Sequence, residues 1–589
     1  MLRLRPHKLG ENQSPGQILP PGDSSRAPAD ELSKLQTLRG NFQKRTLPVI
    51  AVVLSALALT VPFIKQPFNQ DDRDFVAFAQ AAAHKLPGII LHNYSYDGRF
   101  IPHYHDPHGP GLTVYLGMFL RAGTGASEAL FHSLYLVFPV LGAVSMYFLG
   151  RRFTRYPLVA ALLLVFTPAF LVLSHTLMDD APGLALALAF AALYIYGVDR
   201  RDARLLALSG GVMMIAALTA YETLTLVPAL LFYGFLNGSK GLKRWLPFTM
   251  LAVAGIGWVI VTYKVYGRLP ARSYPLRGST YSWPGFTADG LRPDAILIAL
   301  SGAAVFPLSL AFLFLWGKKN LVAGPLALGA ALALVFFTNR TSLDKNLAQS
   351  IQVVFLTFTG MVIVYQMLFS GAAFFIRKNP AGRTELFLLA WFATTLGIYM
   401  SLLVPYVSVR HLLLVLPPVI LLFVRKLDTL WINFKRLRTA FIGLTLFLTL
   451  AGGLAASIAD YRSASVYPPL AQEMGRLYRQ ANGQGRKVYF RGELGFRYYM
   501  EQQGFTELNS RTQLHTGDLI IFSMLSSGPI PWPPVRYTEI WHSAPGDAFP
   551  VRVWNYWAGA GFYTNRMGAL PIAISRATED RIYVYQVQT

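Results

Sequence analysis

The 589-residue chain contains no cysteine, and charged residues make up only 14% of it. The absence of cysteine excludes disulfides, thiolate nucleophiles and cysteine metal sites. Soluble domains carry about 25% charged residues, so the low charge and the 53% of hydrophobic residues indicate an integral membrane protein. Because polar residues 1–45 precede the first apolar run, we expect no removable signal peptide, and that run should remain as an anchor.

Acidic residues are also scarce. The chain has 30 Asp and Glu and 53 Lys and Arg, and its formal net charge is +23. Lys and Arg cluster in short runs between apolar segments, which is typical of cytoplasmic loops and argues against a nucleic-acid surface. A transmembrane helix needs about 20 apolar residues. On that basis we predict thirteen spans, near 46–65, 127–149, 157–174, 181–197, 205–220, 222–237, 245–265, 295–316, 321–337, 349–376, 384–405, 411–424 and 439–458.

The charge pattern predicts the orientation of these spans. With the N-terminus inside, every inner connection is basic, whereas outer connections such as 175–180 and Tyr221-Glu222 have no Lys or Arg. The predicted fold is therefore an α-helical polytopic membrane protein with the N-terminus inside and the C-terminus outside. The predicted parts are a disordered cytoplasmic tail (1–45), a transmembrane domain (46–458) with an extracytoplasmic loop (66–126), and a small periplasmic α/β domain (459–589).

Within the C-terminal part, the sequence predicts a helix from Tyr467 to about Gln480. Buried strands are expected at 487–490 and 518–522, and an alternating strand at 581–587. A break at Tyr221-Glu222 is expected inside a long apolar run, because one helix there would be far too long for a membrane.

Acidic residues fall at the outer ends of several predicted spans. They are Asp71 and Asp72 after the first span, Asp179 and Asp180 before the fourth, and Glu222 between the fifth and sixth. A carboxylate there can take a proton from an attacking hydroxyl or bind a divalent cation beside a phosphate. These acids could instead be helix caps, since Asp is favoured at helix N-termini. For Asp179 and Asp180 both interpretations stay open.

Histidines and cations supply further candidates on the outer side. The loop 66–126 contains five of the eleven histidines, of which His103, His105 and His108 lack the spacing of a helix-borne metal pair. We interpret them as interfacial or hydrogen-bonding residues. The outer cations are Arg268, Arg272 and Arg277 in one loop, Arg340 and Lys345 in the next, and Arg410 beside His411 before the twelfth span.

Arg410 is the most informative of these cations. It lies at a helix start, where a cation opposes the helix dipole, so an anion such as a lipid phosphate should compensate it. The cluster Arg268 to Arg277 fits a contact with lipid headgroups better.

Several motifs resemble those of one enzyme family. They are Asp71-Asp72, Met178-Asp179-Asp180-Ala181-Pro182, Leu218-Thr219-Ala220-Tyr221-Glu222, Arg410-His411-Leu412-Leu413 with Leu416-Pro417-Pro418, and Gly492-Glu493-Leu494-Gly495-Phe496-Arg497-Tyr498-Tyr499. In order and sidedness the chain resembles the type C membrane glycosyltransferases that use polyprenyl-phosphate sugars. This bacterial family includes aminoarabinose transferase and is related to protein O-mannosyltransferases.

The chain departs from the family at two places. The family's His-Pro-Pro-Leu type motif appears here as His108-Gly109-Pro110-Gly111, and the Lys found after the fifth span in the aminoarabinose branch is absent. Both departures argue against aminoarabinose as the sugar.

The resemblance implies Asp71 as the leading candidate for the catalytic base, with Asp180 as the second acid and Asp72 as a further catalytic candidate. The residues expected to bind substrate are His105, His108, Asp179, Glu222, Arg340, Lys345, Arg410 and His411. A divalent cation, if one takes part, would lie at Asp71, Asp72 and Asp180.

The expected function is an inverting glycosyltransferase of the bacterial inner membrane with a periplasmic active site. It would move a hexose or pentose from undecaprenyl phosphate to a glycan, a lipid such as lipid A, or a protein, in contact with membrane lipids and with no nucleic acid. One alternative is a lipid-linked glycan polymerase or ligase. Another is a transporter, although a transporter should place ionisable groups near the bilayer midplane and not at outer helix ends.

The orientation can be tested because the chain has no native cysteine. We expect an impermeant maleimide to label Gln480→Cys but not Leu430→Cys in intact spheroplasts, since the basic loop around residue 430 should be cytoplasmic. Labelling of Leu430→Cys without labelling of Gln480→Cys would reverse the predicted topology.

Overall fold

The computed structural model of the protein describes most of the chain. The described residues are 46–84, 94–96, 99–101, 109–120, 127–237, 241–267, 293–304, 320–337, 347–377, 380–398, 406–427, 435–483, 485–509, 511–527, 535–565 and 567–588. The chain divides into two compact units, Met1–Ala51 and Val52–Thr589. Of the first unit only 46–51 are described, and they form the first turns of a helix. The expected tail 1–45 lies outside the described residues.

Apolar helices dominate the described part of the chain. Those of the first half are α1 (Thr46–Phe63), α2 (Asp72–His84), α3 (Gly111–Leu120), α4 (Glu128–Tyr135), α5 (Val137–Phe153), α6 (Pro157–Phe166), α7 (Pro168–Leu173), α8 (Asp180–Arg200), α9 (Ala203–Thr219), α10 (Val227–Asn237) and α11 (Leu246–Tyr266). Those of the second half are α12 (Pro293–Ala304), α13 (Asn320–Phe337), α14 (Leu347–Arg377), α15 (Pro380–Ile398), α16 (Leu416–Leu427), α17 (Lys435–Ala464), α18 (Tyr467–Gly483) and α19 (Leu494–Gln502). Short 3₁₀ helices cover Tyr221–Leu226, Leu242–Trp245 and Arg410–Val415.

Six helical segments among the described residues are long and apolar enough to cross a membrane. They are Thr46–Phe63, Glu128–Phe153, Asp180–Arg200, Leu242–Val265, Leu347–Ala372 and Lys435–Arg479. Large apolar side chains project from helix surfaces, including Val253, which is 70% exposed, and Phe337, which is 82% exposed. Contiguous apolar surface of this kind suits contact with lipid. These features support a multi-pass membrane protein, while the count of thirteen spans and the N-in/C-out orientation stay predictions.

The helix break expected at Tyr221-Glu222 is present, because α9 ends at Thr219 and a 3₁₀ turn separates it from α10. The segment predicted as one span over 157–174 is divided as well. There α6 ends at Phe166, and Thr167-Pro168 begins α7. Proline has no N–H to donate and restricts the residue before it, so the chain stops and restarts its helix at this point.

The segment 66–126, expected to be a loop, contains two helices, α2 and α3, and a hairpin of β1 (Tyr94–Tyr96) and β2 (Arg99–Ile101). These elements do not test the side on which the segment lies, because α3 is apolar but only ten residues long and too short to span a bilayer. It packs on α2 instead. A Cβ atom on Gly117 would lie 2.7 Å from the Cβ of Ala82, so glycine allows the two helices to approach closely.

A small sheet domain occupies the C-terminal part. Its strands are β3 (Val488–Arg491), β4 (Thr506–Glu507), β5 (Leu519–Ser523), β6 (Tyr537–Ser543), β7 (Val551–Arg552), β8 (Trp554–Asn555), β9 (Ala560–Gly561), β10 (Ala573–Ile574) and β11 (Ile582–Val587). The main sheet has the order β4-β3-β5-β11-β6. Strand β3 is parallel to β4 and β5, whereas β11 is antiparallel to β5 and β6. The helix and the three strands predicted in this part are confirmed.

One face of this sheet is covered by the helices α18 and α19. Phe490, Ile521 and Val584 from the strands pack with Met474 and Phe496 from the helices, all five side chains being fully buried. Burying a large apolar side chain contributes about 1.5–3 kcal/mol, so this core can hold α19 firmly on the sheet.

Helix α19 also contacts the turn that precedes α2. The hydroxyl of Tyr499 accepts a hydrogen bond from the backbone N–H of Phe68 at 3.0 Å and donates one to Glu128 Oε1 at 3.0 Å. One turn earlier on the same helix, a Cβ atom on Gly495 would lie 2.3 Å from the carbonyl oxygen of Phe68. The backbone at Phe68 therefore packs directly against α19 and leaves no space for a side chain at position 495.

Ion pairs reinforce this contact. Arg73 in α2 pairs with Glu501 at 3.0 Å, and the buried Arg497 pairs with Glu493, Glu501 and Glu507 at distances of 2.8–3.0 Å. Buried charges are tolerated only where they are paired and hydrogen-bonded, as they are here. The C-terminal sheet domain thus fixes the chain just before Asp71.

We expect Gly495→Ala to destabilise the protein by about 1–3 kcal/mol, because the added methyl group overlaps the Phe68 carbonyl. The measurement is thermal unfolding of the purified protein in detergent. Gly443→Ala in α17 is the matched control, since no heavy atom lies within 4 Å of the added methyl group and alanine favours a helix. Equal unfolding temperatures for the two variants would contradict the close contact at Gly495.

Candidate functional site

The first acidic pair lies in a tight turn between α1 and α2. Gln70 adopts the left-handed backbone conformation with φ of 45°, which non-glycine residues rarely do. Asp72 begins α2 and has no solvent exposure. Its Oδ2 accepts the backbone N–H of Asn69 at 2.8 Å, and its Oδ1 accepts the backbone N–H of Leu177 at 2.6 Å. Asp72 therefore joins this turn to the segment that leads into α8.

Burial raises the pKa of the Asp72 carboxyl well above its ordinary value, and the two backbone N–H groups oppose that rise. The neighbouring Asp71 differs, since its side chain is 27% exposed and makes an ion pair with Arg410. Two adjacent acids thus have different environments. One is enclosed and hydrogen-bonded to backbone, and the other is open to solvent.

Arg410 brings three parts of the chain together. Its Nη1 lies 3.1 Å from Asp71 Oδ2 and 3.8 Å from Asp180 Oδ2, and its Nη2 donates to the Tyr406 hydroxyl at 2.8 Å. Asp71 lies just before α2, Asp180 begins α8, and Arg410 begins a 3₁₀ helix. The sequence predicted an anion that compensates Arg410, and the carboxylates of Asp71 and Asp180 contact it.

Asp179 and Glu222 lie close to this cluster. Asp179 is buried directly before α8, and its side chain does not cap that helix. Glu222 lies in the 3₁₀ turn after α9, and a Cβ atom on Gly183 would be 3.5 Å from its Oε1. Gly183 is three residues beyond Asp180, so the first turn of α8 lies between the carboxylates of Asp180 and Glu222.

The remaining predicted site residues divide into two groups. His411 is buried, and its ring centre lies 5.1 Å from that of Tyr406. His103, His105, His108, Arg268, Arg272, Arg277, Arg340 and Lys345 lie outside the described residues. The glycines that follow His108 are described. A Cβ atom on Gly109 would lie 2.1 Å from the carbonyl oxygen of Leu218, so this turn contacts the C-terminal end of α9.

The three acids considered for a cation do not fit one in this arrangement. Both oxygens of Asp72 accept backbone N–H groups, and the Arg410 guanidinium lies between Asp71 and Asp180. Throughout the part of the chain that the structure describes, no group of three or more His, Asp or Glu side chains is arranged to hold a metal ion.

Sequence reasoning missed another buried acid close to the site. Asp460 in α17 has no solvent exposure and accepts hydrogen bonds from Gln66 Nε2 and from the Tyr563 hydroxyl, both at 2.9 Å. Its position just after the predicted end of the last span, on the outer side, was the available signal. No motif or pattern in the sequence distinguished Tyr563 from other tyrosines.

We expect Asp72→Asn to destabilise the protein by about 1–3 kcal/mol, because an amide has one acceptor oxygen for two buried backbone donors. The same change at the adjacent, partly exposed Asp71 should cost less than about 1 kcal/mol. Thermal unfolding of both variants measures the difference. If Asp71→Asn were the more destabilising change, the assignment of Asp72 to the structural role would be wrong.

No protein-family model and no curated protein sequence match the chain. Solved structures do. The oligosaccharyltransferase of Archaeoglobus fulgidus in complex with Zn and sulfate is 14% identical with a TM-score of 0.44, covering 81% of this chain and 68% of that one. ArnT from Cupriavidus metallidurans bound to undecaprenyl phosphate is 14% identical with a TM-score of 0.41, covering 82% and 93%. At 14% identity and with TM-scores below 0.5, both similarities are distant.

Proposed function

We propose that this protein is a membrane glycosyltransferase that moves a sugar from a polyprenyl-phosphate donor to an acceptor in the cell envelope. The observation that carries the proposal is the cluster of Asp71, Asp180 and Arg410 at the ends of three helical segments. Transfer from a lipid phosphate needs a base for the acceptor hydroxyl and a cation for the leaving phosphate. Both groups are present within one ion-paired cluster.

Asp71 is the proposed general base. Its carboxylate is partly exposed, so an acceptor hydroxyl can reach it, whereas Asp72 is enclosed and holds two backbone N–H groups. A general base must lie within hydrogen-bond distance of the proton that it takes. Asp72 accordingly fixes the turn, and Asp180 shares Arg410 with Asp71 as the second acid.

In the proposed reaction the acceptor oxygen attacks the anomeric carbon of the donor sugar while its proton passes to Asp71. The new bond joins that carbon to the acceptor oxygen. The bond between the carbon and the phosphate oxygen breaks, and polyprenyl phosphate leaves with the electron pair. Attack from the side opposite to the phosphate inverts the anomeric centre.

Arg410 is proposed to bind the donor phosphate. A guanidinium stays charged and offers planar pairs of N–H donors, which suit phosphate oxygens. The same Nη1 atom now contacts Asp71 and Asp180. When a phosphate takes part of this interaction, Asp71 is released to accept a proton, so donor binding and activation of the base are linked.

The proposed donor class and the bacterial inner membrane rest on the sequence motifs. The proposed periplasmic side of the site rests on the charge pattern of the connections. The proposed division into a transmembrane domain (46–458) and a periplasmic domain (459–589) rests on the distribution of apolar runs. A lipid-linked glycan polymerase or ligase would use the same cluster with a longer donor. A transporter is less well supported, because the paired charges lie at helix ends and not at helix centres.

We expect Asp71→Asn to lower turnover by about 10²–10⁴-fold, the usual contribution of a positioned base. The measurement is sugar transfer by the purified protein from a polyprenyl-phosphate donor. The acceptor is identified first by mass spectrometry of envelope glycans from cells with and without the gene. Undiminished turnover in Asp71→Asn would remove the base from the mechanism.

The matched control is Asp202→Asn, which makes the same chemical change at the N-cap of α9. Asparagine caps helices as well as aspartate does, so this variant should keep its activity. Growth of glycan chains in the assay would indicate the polymerase or ligase. Loss of envelope glycans without any transfer by the purified protein would indicate a transporter.

A further inference from the structure

We infer that Tyr563 is a positioning residue that sets the distance between the proposed base Asp71 and the proposed phosphate-binding Arg410. This inference rests on the proposed function. Tyr563 lies in the sheet domain, in a short segment, Phe562 to Asn565, that contacts the parts of the chain bearing both groups.

The segment holds the chain just before Arg410 in a strand-like pairing. The backbone N–H of Val409 donates to the Phe562 carbonyl at 3.0 Å, and the N–H of Asn565 donates to the Val407 carbonyl at 2.9 Å. Ser408 adds a bond from its hydroxyl to the Phe562 carbonyl at 3.3 Å. Three consecutive residues are therefore fixed directly before the guanidinium-bearing residue.

The side chain of Tyr563 reaches the other half of the site. Its hydroxyl donates to Asp460 Oδ1 at 2.9 Å, and the second oxygen of Asp460 accepts from Gln66 Nε2 at 2.9 Å. All three side chains are buried, Gln66 and Asp460 having no solvent exposure and Tyr563 3%. Gln66 lies five residues before Asp71, in the segment that ends in the tight turn.

These contacts make Tyr563 a buried link between the two chain segments that the Asp71–Arg410 ion pair also joins. Because the Asp71–Arg410 ion pair must open when phosphate binds, it cannot by itself fix the geometry of the site. The buried bonds through Asp460 remain when it opens. Because catalysis depends on positions held to within about 1 Å, loosening this link should slow the reaction without removing any reacting group.

The test is Tyr563→Phe, which removes the hydroxyl and leaves the ring and the backbone bonds of Phe562 and Asn565. We expect kcat per folded molecule to fall about 10-fold, the effect of losing one buried hydrogen bond, with a smaller change in the donor KM. Tyr585→Phe is the matched control, because Tyr585 is a partly exposed residue of β11 whose ring stacks on Tyr583. It should leave kcat unchanged.

A double variant separates positioning from simple stabilisation. If Tyr563 acts by placing the base, Tyr563→Phe should cause no further loss of the residual activity of Asp71→Asn. Full additivity of the two losses, or an unchanged kcat in the single variant, would overturn the inference.

Hydrogen exchange gives a measurement that does not need activity. In Tyr563→Phe we expect the amides of peptides covering 66–72 and 406–411 to exchange about 10-fold faster, while Tyr585→Phe leaves them unchanged. If the wild type transfers no sugar, the proposed function fails and the exchange data still test the link. Unchanged exchange in both peptides would refute the positioning role.

Discussion

The geometry of the candidate site depends on the free-energy cost of burying the carboxylate of Asp72. Asp72 has no contact with solvent, and a buried carboxylate is tolerated only where donors satisfy its oxygens. The donors are backbone N–H groups, one from its own turn and one from a segment 105 residues further along the chain. Because a backbone donor cannot rotate away as a side chain can, these two bonds fix both segments. The adjacent Asp71 is thereby directed towards Arg410, and Asp180 follows three residues after Leu177.

The sheet domain extends the same constraint. Tyr499 and Gly495 hold the backbone at Phe68, and the Phe562–Asn565 segment holds the backbone before Arg410. These contacts come from parts of the domain more than 60 residues apart in sequence, yet both reach chain segments that carry site residues. The domain therefore helps to position the chain segments that carry Asp71 and Arg410.

Much of the fold was predictable, because it follows from local patterns. Apolar runs located helices and two buried strands, alternation located the strand at 581–587, and the excessive length of one apolar run located the break at Tyr221-Glu222. The acids Asp71, Asp72 and Asp180 were also found, since charges at the ends of apolar runs are conspicuous. The difference between Asp71 and Asp72 could not be predicted, because it depends on a backbone bond to Leu177. Tyr563 and Asp460 were missed for the same reason: their roles come from contacts distant in sequence. Helices α2 and α3 were not predicted, because a search for membrane spans overlooks helices of 13 and 10 residues.

Gln70 shows how this arrangement limits engineering of the protein. A left-handed conformation costs a non-glycine residue about 1–2 kcal/mol, so glycine at this position would seem an easy way to raise thermostability. Yet the strained residue lies directly before Asp71, and glycine would widen the range of conformations open to the turn. A more heat-resistant variant made in this way would hold Asp71 less firmly. Stability in this protein is therefore better sought in the membrane-facing helices, far from the turn.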